Sequence, residues 1–477
     1  MTQGPRKREA SRQARAGVAV EDWPAREGPG PEEGQEKQRF RFVVLSAVWL
    51  AGLLLILDRV NISLAAPILM DELRLNGTQM GMILSAFFWG YMLGNPLGGL
   101  FADHLGLRRA GTALLVGWCL FTVMTGLCTT PRQFYLVRFL MGLTEGASVP
   151  FFQKLQRTWL LPQERGRGYA IFEAFVKLGA CIGFPFIGWL ITLFAWWGMF
   201  FATAALTSLG CIYFYVMIRD SPDGHPWVSA GEKERLREAL EQDEVTNAPA
   251  AGQAQKASFG ENLRQLVGDW AFWLLALLAF LTTSFYFAGM TWLPGYLAKE
   301  RGYTVMKTGI YLVLPYLGSI AGGIACGYLG DRSGRRSLVG AAFCALGCPA
   351  LIGAVWVESL TGVVVLLTIA LFFAIGALNS LVTLIYDLFP LESFGTRVGL
   401  LGGLGGGLSG VISPLLIGFL LDVTGSFFWG FTVIALFTLA GGVNFLLLSA
   451  REKNIRQERE ARAALSAGVA AGVLQKG

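Results

Sequence analysis

The sequence predicts an all-α membrane protein whose twelve transmembrane helices form two six-helix repeats. Three observations carry this reading. Apolar stretches of membrane length recur along the chain, basic residues concentrate in alternate loops, and two short motifs repeat at one spacing.

The 477 residues are 53% hydrophobic and 15% charged, against roughly 25% charged for a soluble domain. A soluble chain of this length needs charge to cover its surface, so much of this surface is expected to meet lipid. A spanning helix takes ~20 mostly apolar residues. Gly, Pro and charge clusters divide the apolar stretches into helices at about 42–68, 79–101, 110–129, 132–155, 168–193 and 197–218, then 269–297, 307–330, 337–357, 361–386, 398–421 and 427–450. The expected organisation is a disordered tail (1–41), a first six-helix bundle (42–218), a polar central loop (219–268), a second bundle (269–450) and a closing tail (451–477). The first tail lacks the apolar core of a cleaved signal, and Glu32, Glu33 and Glu36 argue against an organelle presequence. In the central loop, Gly231 to Leu240 reads as a polar helix.

Charge sets the orientation. One set of loops holds Arg108, Arg109, Arg157, Arg165, Arg167, Arg219, Arg332, Arg335, Arg336 and Arg397, while the other holds only Arg74, Arg132, Lys299, Arg301 and Lys307. The bias places both termini in the cytosol, with the chain in a plasma (inner) membrane.

The repeat is visible in the loops. Gly99, Asp103, Gly106 and Arg108 close the second helix, and Gly327, Asp331, Gly334 and Arg336 close the eighth, each pair 228 residues apart. Arg332 and Arg335 complete the second copy. Pro162-Gln-Glu164 and Pro390-Leu-Glu392 recur at the same offset, and two unrelated motifs would rarely agree on one spacing. The glycines allow close approach of helix ends. The Asp is expected to bind donors at a neighbouring helix end, and the arginines to anchor at the lipid surface.

The second loop copy fits the Gly-x3-Asp-Arg-x-Gly-Arg-Arg signature of the major facilitator superfamily, and the chain resembles that superfamily from about residue 40 to 450. The first copy departs at His104 and Leu107. Asp58-Arg-Val-Asn61, Arg138-Phe-Leu-Met-Gly142-Leu-Thr-Glu145-Gly146, Pro162-Gln-Glu-Arg-Gly-Arg167, His225-Pro-Trp-Val-Ser229 and Trp292-Leu-Pro294 are similar to the anion:cation symporter family of sugar-acid, phthalate and vesicular organic-anion carriers. The resemblance implies the major facilitator fold, and proton-coupling roles at the Asp58 and Glu145 positions. The glycine run 402–407 stands where family members place an amide, which departs from a sugar-hydroxyl contact there.

An ionisable group in the bilayer core costs at least ~2.5–3.5 kcal/mol on insertion scales. The first-half spans nevertheless hold Asp58, Arg59, Arg138, Glu145, Lys154, Glu173 and Lys177. At ~1.5 Å per residue, Asp58 and Arg59 lie about 15 Å from the outer face, Arg138 about 10 Å and Glu145 about 20 Å. An alternating cluster is expected there. Its two arginines suit a carboxylate, whose oxygens match the guanidinium fork; a purely structural ion-pair role is the alternative. Glu173 and Lys177 are one turn apart and can pair. The second half offers Tyr286 and Asn379 among its polar residues.

The expected function is proton-coupled symport of a small organic carboxylate by alternating access. Arg59, Arg138, Lys177, Tyr286 and Asn379 would bind substrate, and Asp58, Glu145 and Glu173 would carry protons. The two histidines, His104 and His225, fall outside the spans. An organic-anion exchanger or uniporter needs the arginines but no titrating acid, and a non-transporting sensor would not need the doubled gate motif. No phosphate loop, metal cluster or cofactor box is present, so neither an enzyme nor a cofactor or metal is expected. The seven cysteines lie in or beside apolar helices as packing residues. The expected partners are an organic anion, protons and the bilayer, with no nucleic acid, and the chain is expected to be a monomer.

Overall fold

The computed structural model describes residues 40–247, 268–388 and 394–474, and every regular element there is a helix. Spans one to four are α1 (Phe40–Glu72), α2 (Gly77–Leu105), α3 (Leu107–Gly126) and α4 (Pro131–Trp159). α5 (Arg165–Met217) carries two spans and reverses at Ala195, whose φ of +57° is the non-helical point inside it. The polar α6 (Ala230–Asn247) follows. The second half comprises α7 (Trp270–Gly295, prolonged by a π-helical turn Tyr296–Glu300), α8 (Val305–Ser333), α9 (Arg336–Trp356) and α10 (Leu360–Leu388). In α11, Phe394–Leu401 and Leu408–Thr424 join through the π-helical Gly402–Gly407; α12 is Phe427–Leu474.

Twelve spans result. Nine stretches qualify by length and hydropathy among the described residues, α5 counting once. α2 and α4 fall short because they carry polar and glycine-rich faces toward the protein interior. Two boundaries differ from expectation: α12 runs to Leu474 rather than ending near residue 450, and no loop separates the two spans of α5. The expected tail over residues 1–39, and Pro390-Leu-Glu392, lie outside the described residues. Large apolar side chains such as Leu209, Ile212, Ile324, Trp356 and Val423 are 61–72% exposed, as a lipid-facing surface requires.

The 228-residue offset reappears in three dimensions. Asn76 and Thr304 cap the starts of α2 and α8, each side chain accepting from a backbone N–H three residues on. Gly106 and Gly334 adopt positive φ (+77° and +61°) at the motif loops. A methyl group on Gly94 would stand 2.1 Å from the Leu143 carbonyl oxygen, and one on Gly322 would stand 1.9 Å from that of Phe372. Glycine therefore lets α2 and α4, and likewise α8 and α10, pack backbone to backbone.

The two faces of the bundle differ. On the face opposite the motif loops, here the far face, the halves are locked together. Gly77 and Gly81 of α2 meet Gly418 and Pro414 of α11, and Gly188 and Phe184 of α5 meet Val305 and Gly309 of α8. Asp422 accepts from the N–H groups of Gly77 (2.6 Å) and Thr78 (2.7 Å), and Lys299 pairs with Asp71 at 2.6 Å. Toward the motif face, methyl groups on Gly327, Gly399, Gly402, Gly403 or Gly406 would meet nothing within 4 Å, so these glycines border open space. Among the described residues, the backbone-close contacts and the ion pair that join the halves gather at the far face.

Candidate functional site

α1 brings Arg59 and α4 brings Glu145 to one point: Arg59 Nε donates to Glu145 Oε2 at 3.0 Å. Glu145 is fully buried, and the Arg59 side chain is 10% exposed. The aromatic residues of α2 receive the positive charge. The Arg59 guanidinium lies 5.2 Å from the Phe87 ring centre and 4.9 Å from that of Tyr91. Phe87 also receives Arg138, at 4.8 Å. Phe87 and Tyr91 are one turn apart, so a single stripe of α2 serves the cluster. An aromatic pair at i, i+4 on a span that also has glycine at every fourth residue (Gly90, Gly94, Gly98) is the signal in the sequence that identifies this face.

Arg138 is 2% exposed. It donates to Met141 sulfur at 3.2 Å and its Nε has no hydrogen-bond partner among the described residues. Glu145 Oε1 is likewise unsatisfied. Buried polar groups left without partners are uncommon and call for an explanation. Both arginines line a void of about 10 Å³, the room of a single water, together with Phe87, Phe88, Met290 and Thr291. Met290 and Thr291 belong to α7, so the void sits between the two halves.

Asp58 lies within electrostatic reach of Arg138 and Glu145 but makes no hydrogen bond to either arginine among the described residues. Its carboxylate accepts from Trp118 Nε1 of α3 and from Asn61 Nδ2 (2.9 Å), and it is fully buried within the first half. Adjacent residues on a helix point about 100° apart, so Arg59 facing α4 turns Asp58 toward α3. Within the expected four-residue cluster, Arg59 and Glu145 form the direct pair and Arg138 stands beside them, while Asp58, in electrostatic reach of Arg138 and Glu145, takes its hydrogen bond from Trp118, a partner the sequence reading missed.

Tyr286 of α7 stands within electrostatic reach of Arg59 and Glu173. Lys177 and Glu173 pair at 3.6 Å on α5. Asn379 of α10 sets its amide against Gly323 of α8 and makes no hydrogen bond or ion pair with the arginines among the described residues.

The motif loops bind within their own halves. Arg108 donates from its backbone N–H to Asp220 (2.8 Å), and its guanidinium covers the Tyr215 ring at 3.8 Å. Glu452 accepts from the N–H groups of Arg336 (2.7 Å) and Ser337 (3.0 Å). Arg336 further pairs with Asp331 at 3.1 Å and donates to the Thr383 carbonyl at 3.0 Å. Arg332 reaches Tyr328, and the N–H of Arg335 bonds to Ser333. The carboxylate at a neighbouring helix start is therefore Asp220 or Glu452, just past the last span of each half, while Asp331 serves its own loop. Gly99 and Asp103 lie in α2 and Gly327 in α8; the side chain of Asp103 is outside those described.

On the same face, Arg41 binds Glu164 and Glu232, each at 2.7 Å, tying α6 and the Pro162-Gln-Glu164 turn to the start of α1. His225 is buried among Phe40, Trp159 and Trp227. Its Nδ1 accepts from the Trp227 N–H (3.2 Å), which leaves Nε2 to donate to the Met217 carbonyl (3.1 Å).

Residues 48–403 and 309–475 match the sequence profile of the Major Facilitator Superfamily. Among curated relatives, a probable sulfoacetate transporter of Cupriavidus necator is 28% identical over 407 residues, 82% of this chain and 90% of that protein. A hexuronate transporter of Bacillus subtilis is 27% identical, covering 84% and 91% respectively. A probable galactarate/D-glucarate transporter of Escherichia coli K12 is also 27% identical, covering 83% and 91%. In fold, the chain is similar to the crystal structure of a bacterial homologue of the human lysosomal transporter Spinster, inward-facing and unoccupied. That match has a TM-score of 0.65 and 18% identity, and covers 90% of this chain and 98% of that one.

Proposed function

The chain belongs to the major facilitator superfamily, and from this premise we propose that it carries a small organic acid across the membrane with protons, by alternating access. The bundles 42–218 and 269–450 are the moving bodies, and the motif face, with both termini, is cytosolic. The basic motif loops support that orientation.

The observation that carries the reading is the buried Arg59–Glu145 pair at 3.0 Å, partly exposed on the arginine side, with Arg138 and a water-sized void beside it between the halves. A guanidinium offers parallel donors to a carboxylate. A substrate carboxylate takes Arg59 from Glu145, and the released Glu145 sits in a buried site where an unpaired charge is costly. A proton on Glu145 removes that cost. Charge counting agrees: Asp58 and Glu145 balance Arg59 and Arg138, so a bound monoanion leaves one excess negative charge and one proton cancels it. Asp58, held by Trp118 and Asn61, keeps the first half electrically neutral while Arg59 changes partners. The relatives named for hexuronate, galactarate/D-glucarate and sulfoacetate all handle small organic anions, which supports the substrate class.

The test uses purified protein in proteoliposomes with a panel of hexuronates, aldarates, sulfoacetate and simple carboxylates. An imposed inward proton gradient should drive concentrative uptake of at least one of them. Glu145→Gln should abolish the gradient's effect while retaining counterflow, and Arg59→Gln should abolish binding. Uptake insensitive to the gradient, with Asp58→Asn and Glu145→Gln both fully active, would establish exchange or uniport instead.

A further inference from the structure

Nearer the motif face than Arg59, α5 carries a second cation–carboxylate pair. Lys177 Nζ lies 3.6 Å from Glu173 Oε2, and the side chains are 30% and 35% exposed. The stripes of α5 decide which way they point. Phe172, Val176, Gly179 and Gly183 pack on α1. Leu178, Ile182 and Trp189 are exposed on the lipid side. Phe184 meets the other half, its ring 5.0 Å from that of Tyr316 and its carbonyl against Gly309 of α8. Lys177 and Glu173 precede Phe184 by seven and eleven residues, close to two and three turns, so they continue the stripe that faces the other half.

At Phe184 that stripe is sealed against α8, and at Lys177 and Glu173 it opens, their side chains 30% and 35% exposed. Residues from other elements share the space. Tyr286 of α7 stands in electrostatic reach of both Arg59 and Glu173, and Tyr169 interacts with Glu173, Tyr91 of α2 and Tyr386 of α10. Tyr286 therefore stands within electrostatic reach of one member of each ion pair.

Contacts between α1 and α5 set their separation. Gly179 meets Leu53 and Ile56, and Gly183 meets Leu57 and Val60. Lys177 is then level with about residue 52 of α1, and Arg59 stands about 10 Å further along the axis.

We propose that Lys177 is a second anion subsite and that the substrate is an elongated dianion, with an acid group at each end of about four to six carbons, a length that bridges two cations so spaced with a charged hydrogen bond at each end. This rests on the reading that Arg59 takes the first acid group. The second acid group draws Lys177 from Glu173 as the first draws Arg59 from Glu145. Glu173 faces Lys177 and Tyr169 on its own helix and Tyr286 of α7; Tyr91 and Tyr386 stand in reach of Tyr169, and Arg59 is the further cation in reach of Tyr286. Released from Lys177, it takes up a proton. The dianion thus enters with two protons, one on each displaced carboxylate, and the loaded carrier gains no net charge.

The probes are D-glucarate against D-gluconate, equal in length and differing at the second carboxylate, and adipate against hexanoate as a hydroxyl-free pair. Binding to purified protein is followed by thermal shift and titration calorimetry, and proton stoichiometry by proteoliposome currents. Wild-type protein should bind at least one dianion roughly tenfold more tightly than its monoanion. That preference should collapse to near unity in Lys177→Met and persist in Lys177→Arg. Glu173→Gln should carry the dianion with one proton fewer, so that electroneutral uptake becomes electrogenic. If Lys177→Met does not fold, the double variant Glu173→Gln/Lys177→Met carries the same ratio test. A wild type that prefers no dianion, or a preference surviving in either lysine-to-methionine variant, overturns the inference. Arg59→Gln separates the two readings: retention of both acids there sinks the Arg59 reading, whereas loss of both beside an intact preference in Lys177→Met sinks only the dianion.

Discussion

Gly418→Ala should pry open the far face without unfolding the protein. A methyl group there would stand 2.1 Å from the Gly77 carbonyl oxygen and 2.7 Å from its carbon, both backbone atoms. Ordinary contact begins near 3.4 Å, so α2 and α11 must separate by about 1 Å to admit a van der Waals fit. Asp422 holds the same end of α2 through bonds of 2.6 and 2.7 Å to Gly77 and Thr78, and that separation takes both past normal hydrogen-bond length. Hydrogen bonds to a charged group contribute about 1.5–3 kcal/mol each. The closed far face should thus lose about 3–6 kcal/mol, and about 5.5 kcal/mol is enough to invert a 1:99 population. Gly142 is the control. Its added methyl would lie 1.9 Å from the Phe87 carbonyl oxygen within the first half, and no movement of the halves relieves that clash. Spin labels at Arg132→Cys and Glu358→Cys, in an otherwise cysteine-free chain, report the far-face opening between the halves. Gly418→Ala should populate longer distances with its melting temperature nearly kept, and Gly142→Ala should do the reverse. An unchanged distance distribution in Gly418→Ala, with stability lost as in Gly142→Ala, would refute the assignment of this seam as a moving one.

Three further outcomes follow from the site. Arg59→Gln leaves Glu145 buried without its partner and should cost about 3–5 kcal/mol; adding Glu145→Gln should recover most of it, a non-additivity read from melting temperatures of the four proteins. Trp118→Phe removes a donor from the fully buried Asp58 and should lower stability by about 1–3 kcal/mol, with little further loss when Asp58→Asn is already present. Burial pushes the His225 imidazole below its ordinary value, and Arg219 and Lys233 add to that effect. The undocked segment then binds more protons than the docked one, so docking of residues 219–247 strengthens as pH rises and is lost as pH falls below about 6.5. Protection factors in α6, corrected for the intrinsic pH dependence of amide exchange, should fall as pH drops below about 6.5, and His225→Gln should remove that fall.

The sequence by itself determined the twelve spans, because each must bury a membrane's thickness of backbone in apolar residues. It determined the pairing of the halves as well. The 228-residue offset seen in Gly106 and Gly334 also relates the caps Asn76 and Thr304 and the packing glycines Gly94 and Gly322. The heights of Arg59, Arg138 and Glu145 were legible because depth on a helix is a one-dimensional count at ~1.5 Å per residue. Their partners were not. Whether Asp58 meets an arginine or Trp118, and whether a neighbouring helix start is capped by the motif Asp or by Asp220 and Glu452, depends on rotation about each helix axis and on which helix lies alongside. The tertiary structure also decided which face is shut. One chain with pseudo-symmetric halves can close at either face at similar free energy. The placed contacts of Asp422, Lys299 and the facing glycines favour closure at the far face, and they join residues hundreds of positions apart.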